Sequence, residues 1–264
     1  MKVSTCSYRP VLDNCTLKDL DYQVDTYIGC EHYCYYCYAL NQAETDWTKE
    51  ILIYKDITDQ LNNELSKIPP QTIYMGWHTD PYQPCEAEYR QTRQVLELLL
   101  EKGFSASILT KSDLILRDID VLEKMDNASV SVSVAFNDER TRELFEARTM
   151  ATGARIEALK KMKEIGIRTT ALICPVIPYI TDAKSLIDLL APYTEVIWIY
   201  GLSILETSGR NWRNIQAIFN RHFPSLQDKI ESAVLSKDDS YWDRLRHDLE
   251  KVQKERQLNL NIHV

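Results

Sequence analysis

Apolar positions along the chain follow two alternating periods. Short runs rich in β-branched and aromatic residues, bounded by turn or charged residues, predict strands over 22–28, 72–77, 105–110, 130–135, 169–174 and 195–200. Between them a helical period takes over. Ile57, Leu61 and Leu65 recur at i, i+4, i+8 within 56–67. Val95, Leu96, Leu99 and Leu100 do the same within 89–102, which ends at Gly103 as a C-cap. Ser112 opens a helix to Met125, and a helix over 151–165 stops at Gly166. Thr181 caps a helix over 182–190. Strand and helix alternating about six times predict a parallel α/β architecture, either an open doubly wound sheet or a barrel. No GxGxxG follows the first strand, which counts against dinucleotide binding. Beyond residue 206 the strand pattern fades. Residues 211–255 read as helical and strongly charged, with Asp238, Asp239, Asp243, Asp248 and Glu250 on a solvated face, and 258–264 alternate as one more strand. The expected organisation is a core over 1–205 with a mostly helical extension, 206–264, packed on it.

A chain of 264 residues buries a sizeable core without disulfides. Lys plus Arg number 31 and Asp plus Glu 39, a net charge of −8. That argues against strong non-specific binding to nucleic acid or anionic lipid, though a local basic groove is compatible with it. The N-terminus has no apolar run followed by a cleavage site, and no apolar stretch is long enough to cross a bilayer. The expected location is cytoplasmic, where thiols stay reduced. Seven cysteines then read as metal ligands, catalytic groups or buried apolar residues.

Three of them stand out. Cys30, Cys34 and Cys37 are spaced C-x3-C-x2-C directly after the first major predicted strand. Thiolates are soft ligands suited to zinc or iron–sulfur clusters, and three on one loop can converge on one metal centre. A structural zinc site would need a fourth ligand from His32, Cys6 or Cys15, and no second ligand pair is visible. A [4Fe-4S] cluster held by three cysteines leaves one iron open, as a catalytic cluster requires.

The triad, with an aromatic residue before its third cysteine, resembles the radical S-adenosylmethionine superfamily. The wider string Tyr27-Ile28-Gly29-Cys30 through Ala39 resembles its spore photoproduct lyase-like branch, as do Thr79-Asp80-Pro81-Tyr82-Gln83-Pro84 and Leu109-Thr110-Lys111-Ser112. The resemblance implies a partial, six-stranded parallel β/α barrel with a helical C-terminal extension. It implies that Cys30, Cys34 and Cys37 hold a [4Fe-4S] cluster and that S-adenosyl-L-methionine chelates the fourth iron. Reductive cleavage would then yield a 5′-deoxyadenosyl radical that abstracts hydrogen from a substrate. An electron donor such as flavodoxin or ferredoxin is the implied partner.

The same resemblance suggests Tyr36 and Tyr38 beside the adenine, or simply packed in the loop. It suggests Thr79 or Asp80 for the cofactor's ammonium, although TDP is also an ordinary turn string. Lys111 and Arg155 are candidates for the methionine carboxylate, or else solvated surface cations. Ser131 and Ser133 alternate along one strand and so share a face, from which Ser133 would reach the ribose. The lyase itself carries a hydrogen-donating cysteine just before its S/T-D-P string. Here Trp77 and His78 stand in that place, with Tyr82 and Cys85 the nearest alternative donors, Cys85 reading equally as a buried hydrophobe. Cys174 reads as core. The charge and the missing cysteine turn the expectation toward a small-molecule or peptide substrate rather than DNA. A lyase-like repair enzyme and a non-catalytic iron–sulfur or zinc protein are the alternatives.

Overall fold

The computed structural model describes residues 1–236 and 240–264. Its strands are β1 (Lys2–Thr5), β2 (Leu12–Asn14), β3 (Tyr22–Val24), β4 (Glu50–Ile53), β5 (Thr72–Met75), β6 (Ser105–Thr110), β7 (Ser129–Ser133), β8 (Arg168–Val176), β9 (Val196–Gly201) and β10 (Leu260–His263). β1 and β4 form a small parallel pair. The rest form one eight-stranded sheet in the order β10-β9-β8-β7-β6-β5-β3-β2, parallel except for β2 against β3. Since β2 and β10 lie at its two edges, the barrel is open. The helices are α1 (Ile57–Leu65), α2 (Glu86–Tyr89), α3 (Gln91–Glu101), α4 (Ile119–Leu122), α5 (Glu139–Glu146), α6 (Thr152–Glu164), α7 (Ala183–Leu190), α8 (Arg210–His222), α9 (Gln227–Leu235) and α10 (Ser240–Arg256).

The two faces of the sheet explain why it curves into a partial barrel. Ile73, Met75, Ile108, Val130, Val132, Ala171, Ile173 and Ile199 are all fully buried in the main core, together with Leu61, Leu96, Leu99 and Leu159 of the helices. Each such aliphatic side chain contributes about 1.5–3 kcal/mol by leaving water. The intervening residues face inward and are mostly only half-buried: Ser107 and Leu109 on β6, Ser131 on β7, Thr170 and Leu172 on β8, Trp198 and Tyr200 on β9. Strand alternation thus separates a fully buried aliphatic outer face from a mixed, half-buried inner one.

The architecture agrees with the reading of the sequence, with local differences. The sheet has eight strands rather than six, because β2 and β10 extend the six core strands. β10 pairs in parallel with β9, so the segment after residue 206 completes the sheet as well as covering it. The helix expected over 112–125 divides into a 3₁₀ stretch, Asp113–Asp118, and α4. Asp118, fully buried there, is held by Arg93 and Arg117. Asp182 rather than Thr181 caps α7, accepting from Ser185 N at 3.0 Å. Asp238 and Asp239 of the expected acidic face lie outside the described residues. Among the described residues no helix is long and apolar enough to cross a membrane.

Candidate active site

The cysteine loop leaves the carboxyl end of β3 through Gly29, whose φ is +98°. A Cβ there would stand 2.9 Å from Trp47 Nε1, so both the backbone conformation and the space require glycine. Turns then fold the loop: Tyr33 N donates to Cys30 O at 3.3 Å and Cys37 N to Cys34 O at 2.9 Å. All three thiols are free. Burial pushes the pKa of each upward, and for Cys30 the neighbouring Asp80, Cys34 and Cys37 push it further. Without a metal the three are therefore neutral thiols, and metal binding would have to displace their protons. Among the described residues no three His, Cys, Asp or Glu side chains converge on one point as ligands of a single ion.

On one side the loop is tied to the segment after β5. Thr79 Oγ1 donates to Gly29 O at 2.6 Å, and Gln83 Nε2 donates to the same oxygen at 3.0 Å. Glu31 N donates to Gln83 Oε1 at 2.8 Å, and Cys85 N donates to the Glu31 carboxylate. Asp80 is the hub. Its oxygens accept from Tyr82 N at 2.8 Å, Thr110 Oγ1 at 2.6 Å and Lys111 N at 2.7 Å, with His32 Nδ1 at 3.3 Å. Burial opposes its charge. The His32 imidazole and these donors outweigh burial and hold its carboxyl at about 2.

The other side meets α5 and α6. Tyr35 N donates to Phe145 O at 3.0 Å, and the Tyr36 hydroxyl donates to Glu146. Glu146 and Arg155, both fully buried, form an ion pair at 2.7 Å. Arg155 also donates to Met150 O at 2.7 Å, to Ser133 O at 3.0 Å and to Thr149 Oγ1. Its charge is therefore compensated inside the protein. Lys111 differs. Its Nζ donates to Ser133 Oγ at 2.9 Å and lies 6.0 Å from the centre of the Tyr36 ring, with no ion-pair partner among the described residues. Burial works against its charge, but Cys34 and Glu146 outweigh it and raise its pKa. Cys174 is half-buried on the inner face, not in the core as its apolar strand suggests. Burial pushes its thiol up to about 11, with Lys111 working against the rise.

The remaining expected residues scatter. Tyr38 is exposed, and its hydroxyl donates to Trp77 O at 2.5 Å. His78 Nδ1 lies 2.9 Å from Asp25 Oδ2, a bond that raises the imidazole pKa. Tyr82 is wholly buried in the main core. Cys85 packs among Tyr27, Ala39, Leu40 and Trp47 behind the loop. The structure thus gathers Tyr36, Lys111, Ser133 and Arg155 around Cys34, and Thr79 and Asp80 beneath Cys30, but brings neither Tyr82 nor Cys85 to the inner face. Sequence reasoning missed Glu146, Asp25 and Gln83. Glu146 ends α5, whose start is marked by Asp138 accepting from Thr141 N at 2.8 Å, a signal present in the sequence as D-E-R-T.

Comparison with known proteins bears on the family and the fold. A model of the Radical SAM superfamily matches residues 24–190. Uncharacterized protein MJ0683 of Methanocaldococcus jannaschii is 28% identical over 220 residues, 82% of this chain and 82% of its own. Uncharacterized protein Rv2578c of Mycobacterium tuberculosis is 29% identical over 208 residues, 72% of this chain and 61% of its own. Among solved structures, a spore photoproduct lyase mutant with bound AdoMet and dinucleoside spore photoproduct aligns with a TM-score of 0.60 at 17% identity, over 83% of this chain and 66% of the lyase. Streptococcus suis SuiB bound to precursor peptide SuiA aligns with a TM-score of 0.53 at 14% identity, over 98% of this chain and 47% of SuiB. The chain thus spans just under two thirds of the lyase and about half of SuiB. At such identities the likeness is one of fold.

Proposed function

The chain belongs to the Radical SAM superfamily, and from that premise we infer that Cys30, Cys34 and Cys37 hold a [4Fe-4S] cluster beside a site for S-adenosylmethionine. When bound, the pair supplies reductive cleavage to a 5′-deoxyadenosyl radical, which removes hydrogen from a substrate. The observation that carries this reading is the thiol triad at the carboxyl ends of the strands, faced by a lysine with no carboxylate partner among the described residues. In β/α barrels that end is where functional groups gather.

The side chains divide the work. Lys111, steadied by Ser133, is the free cation for the methionine carboxylate. Asp80, ionised throughout the physiological range, offers negative charge for the ammonium, and Thr79 holds the loop at Gly29. Tyr36 and Tyr38 border the adenine. Arg155, its charge spent on Glu146, positions Tyr36 and the backbone of Ser133. His78 is the expected catalytic residue with a partly exposed ring, and the reading gives it an acid–base role. Tyr82 and Cys85 keep packing roles. The net charge of −8 and the presence of Trp77-His78 where a donor cysteine would stand favour a small-molecule or peptide substrate over DNA. A reducing, cytoplasmic setting and an electron donor such as flavodoxin or ferredoxin complete the reading.

The test is anaerobic reconstitution. The protein should take up about four iron and four sulfide per chain. With dithionite and S-adenosylmethionine it should release 5′-deoxyadenosine, and Cys34→Ala should do neither. Lys111→Ala should keep its iron but bind S-adenosylmethionine about ten- to a hundredfold more weakly, the loss of one charge-assisted contact. Stoichiometric zinc without sulfide would overturn the reading. Multiple-turnover repair of a dinucleotide spore photoproduct would replace its substrate class with DNA.

A further inference from the structure

A second cavity, of about 490 Å³, lies on the other side of the cysteine loop from the Lys111 network. Gly29 and Ala39, at the two ends of the loop, form part of its wall, and β2 and β3 form another part. Its volume is that of an ordinary small-ligand site.

Three features give it a chemistry. The first is Gln23, which lines the cavity and is 4% exposed, yet its carboxamide makes no hydrogen bond among the described residues. The carboxamide faces the cavity rather than being sealed from it, so its oxygen is open to a donor on a ligand. The second is charge. Arg9 and Glu44 balance in charge through two bonds of 2.7 Å, Arg9 Nη1 to Glu44 Oε1 and Nη2 to Oε2, with Arg9 Nε left as a buried donor without a partner among the described residues. That leaves Asp13 and Asp25 against His78, an acidic excess even when the imidazole is protonated. The third is the apolar wall. Trp47 and Tyr54, both buried, line the cavity, and aromatic rings are residue types that accommodate cations.

We propose that this cavity is a ligand site for a small organic cation bearing N–H donors, an amine or guanidinium, which bonds to the Gln23 carboxamide and is balanced by Asp13 and Asp25. The cavity shares His78 with the radical reading, but its occupancy needs neither cluster nor S-adenosylmethionine. Its ligand would sit against His78 and the backbone of Gly29.

The experiment is calorimetric titration of the cluster-loaded full chain with agmatine, with putrescine, and with 1,4-butanediol as an uncharged control of similar length. The two cations should bind saturably, one per chain, and the diol should not. Gln23→Leu and Asp13→Asn should each weaken agmatine about tenfold, the loss of one hydrogen bond or charge contact. Asp13 is exposed, so its variant keeps the fold intact. Lys111→Ala, across the loop, should leave the affinity unchanged. Binding untouched by either pocket substitution would be diffuse attraction to an acidic protein and would overturn the proposal. So would equal affinity for the diol, or no saturable binding of either cation at millimolar concentration. Loss of 5′-deoxyadenosine formation would bear on the radical reading alone.

Discussion

The cysteine loop is held from two sides by different chemistry. Toward β5 the hold is on the backbone: Thr79 and Gln83 donate to the Gly29 carbonyl, and Gln83 accepts from Glu31 N. Toward α5 and α6 it is a buried ion pair, Glu146 with Arg155, joined to the loop through the Tyr36 hydroxyl. The first side sets the path of the chain. The second sets a ring and a pair of charges near Cys34. A shape built from many modest bonds tolerates the loss of one. A buried charge pair does not, because removing one partner strands the other.

Substitutions at the two sides should therefore differ in size. Glu146→Gln should have the largest effect, about 3–5 kcal/mol of lost stability, because Arg155 stays charged and buried without its partner. The double variant Glu146→Leu, Arg155→Met should recover much of that loss. Urea denaturation of the metal-free protein measures both, and a single substitution costing under about 1 kcal/mol would erase the contrast.

Asp80→Asn should come next, near 2 kcal/mol at neutral pH, with a distinctive pH dependence. The native carboxyl sits at about 2 against an ordinary 3.8. A carboxyl lowered by folding stabilises the protein above its unfolded value, and that stability is lost as pH falls through the folded one. The gap between wild type and variant should thus be full above about pH 4 and shrink toward about pH 2. A gap that stays constant across that range would mean that Asp80 acts through shape and not charge.

Gln83→Ala should be the mildest, about 1 kcal/mol, because Thr79 still serves Gly29 O, Thr79 Oγ1 loses one donor but keeps its own bond, and Glu31 N alone loses its acceptor. Its clearer signature is faster hydrogen exchange at the Glu31 amide. Unchanged exchange there would show that the β5 side does not set the path of the loop.

What was legible in the sequence followed from local pattern. The strand over 105–110 appears with those bounds because alternation and bordering turns coincide there. Cys30, Cys34 and Cys37 were visible from spacing alone. The pairing of Arg155 was not legible, since its partner Glu146 lies on a different helix and nothing local marks a buried charge. Cys174 read as core because its strand is apolar on both faces in sequence, while the inner face is open in space. β1, β2 and β4 escaped because nothing around their three or four residues extends the pattern, whereas β3, β5 and β10, equally short, sit within longer strand-like runs.

The placement of β10 also governs the order in which the chain can be put together. β6 through β9 each pair with the strand that precedes them, and β5 with β3, so the sheet can grow in step with synthesis. β10 is separated from its partner β9 by α8, α9 and α10. Until residues 260–263 have been made, the outer edge of β9 presents unpaired N–H and C=O groups, with Trp198 and Tyr200 beside them. A nascent chain stalled before that point would carry the six-residue edge of β9 open, and β10 replaces it with an edge strand of four residues, a shorter template for pairing with other chains.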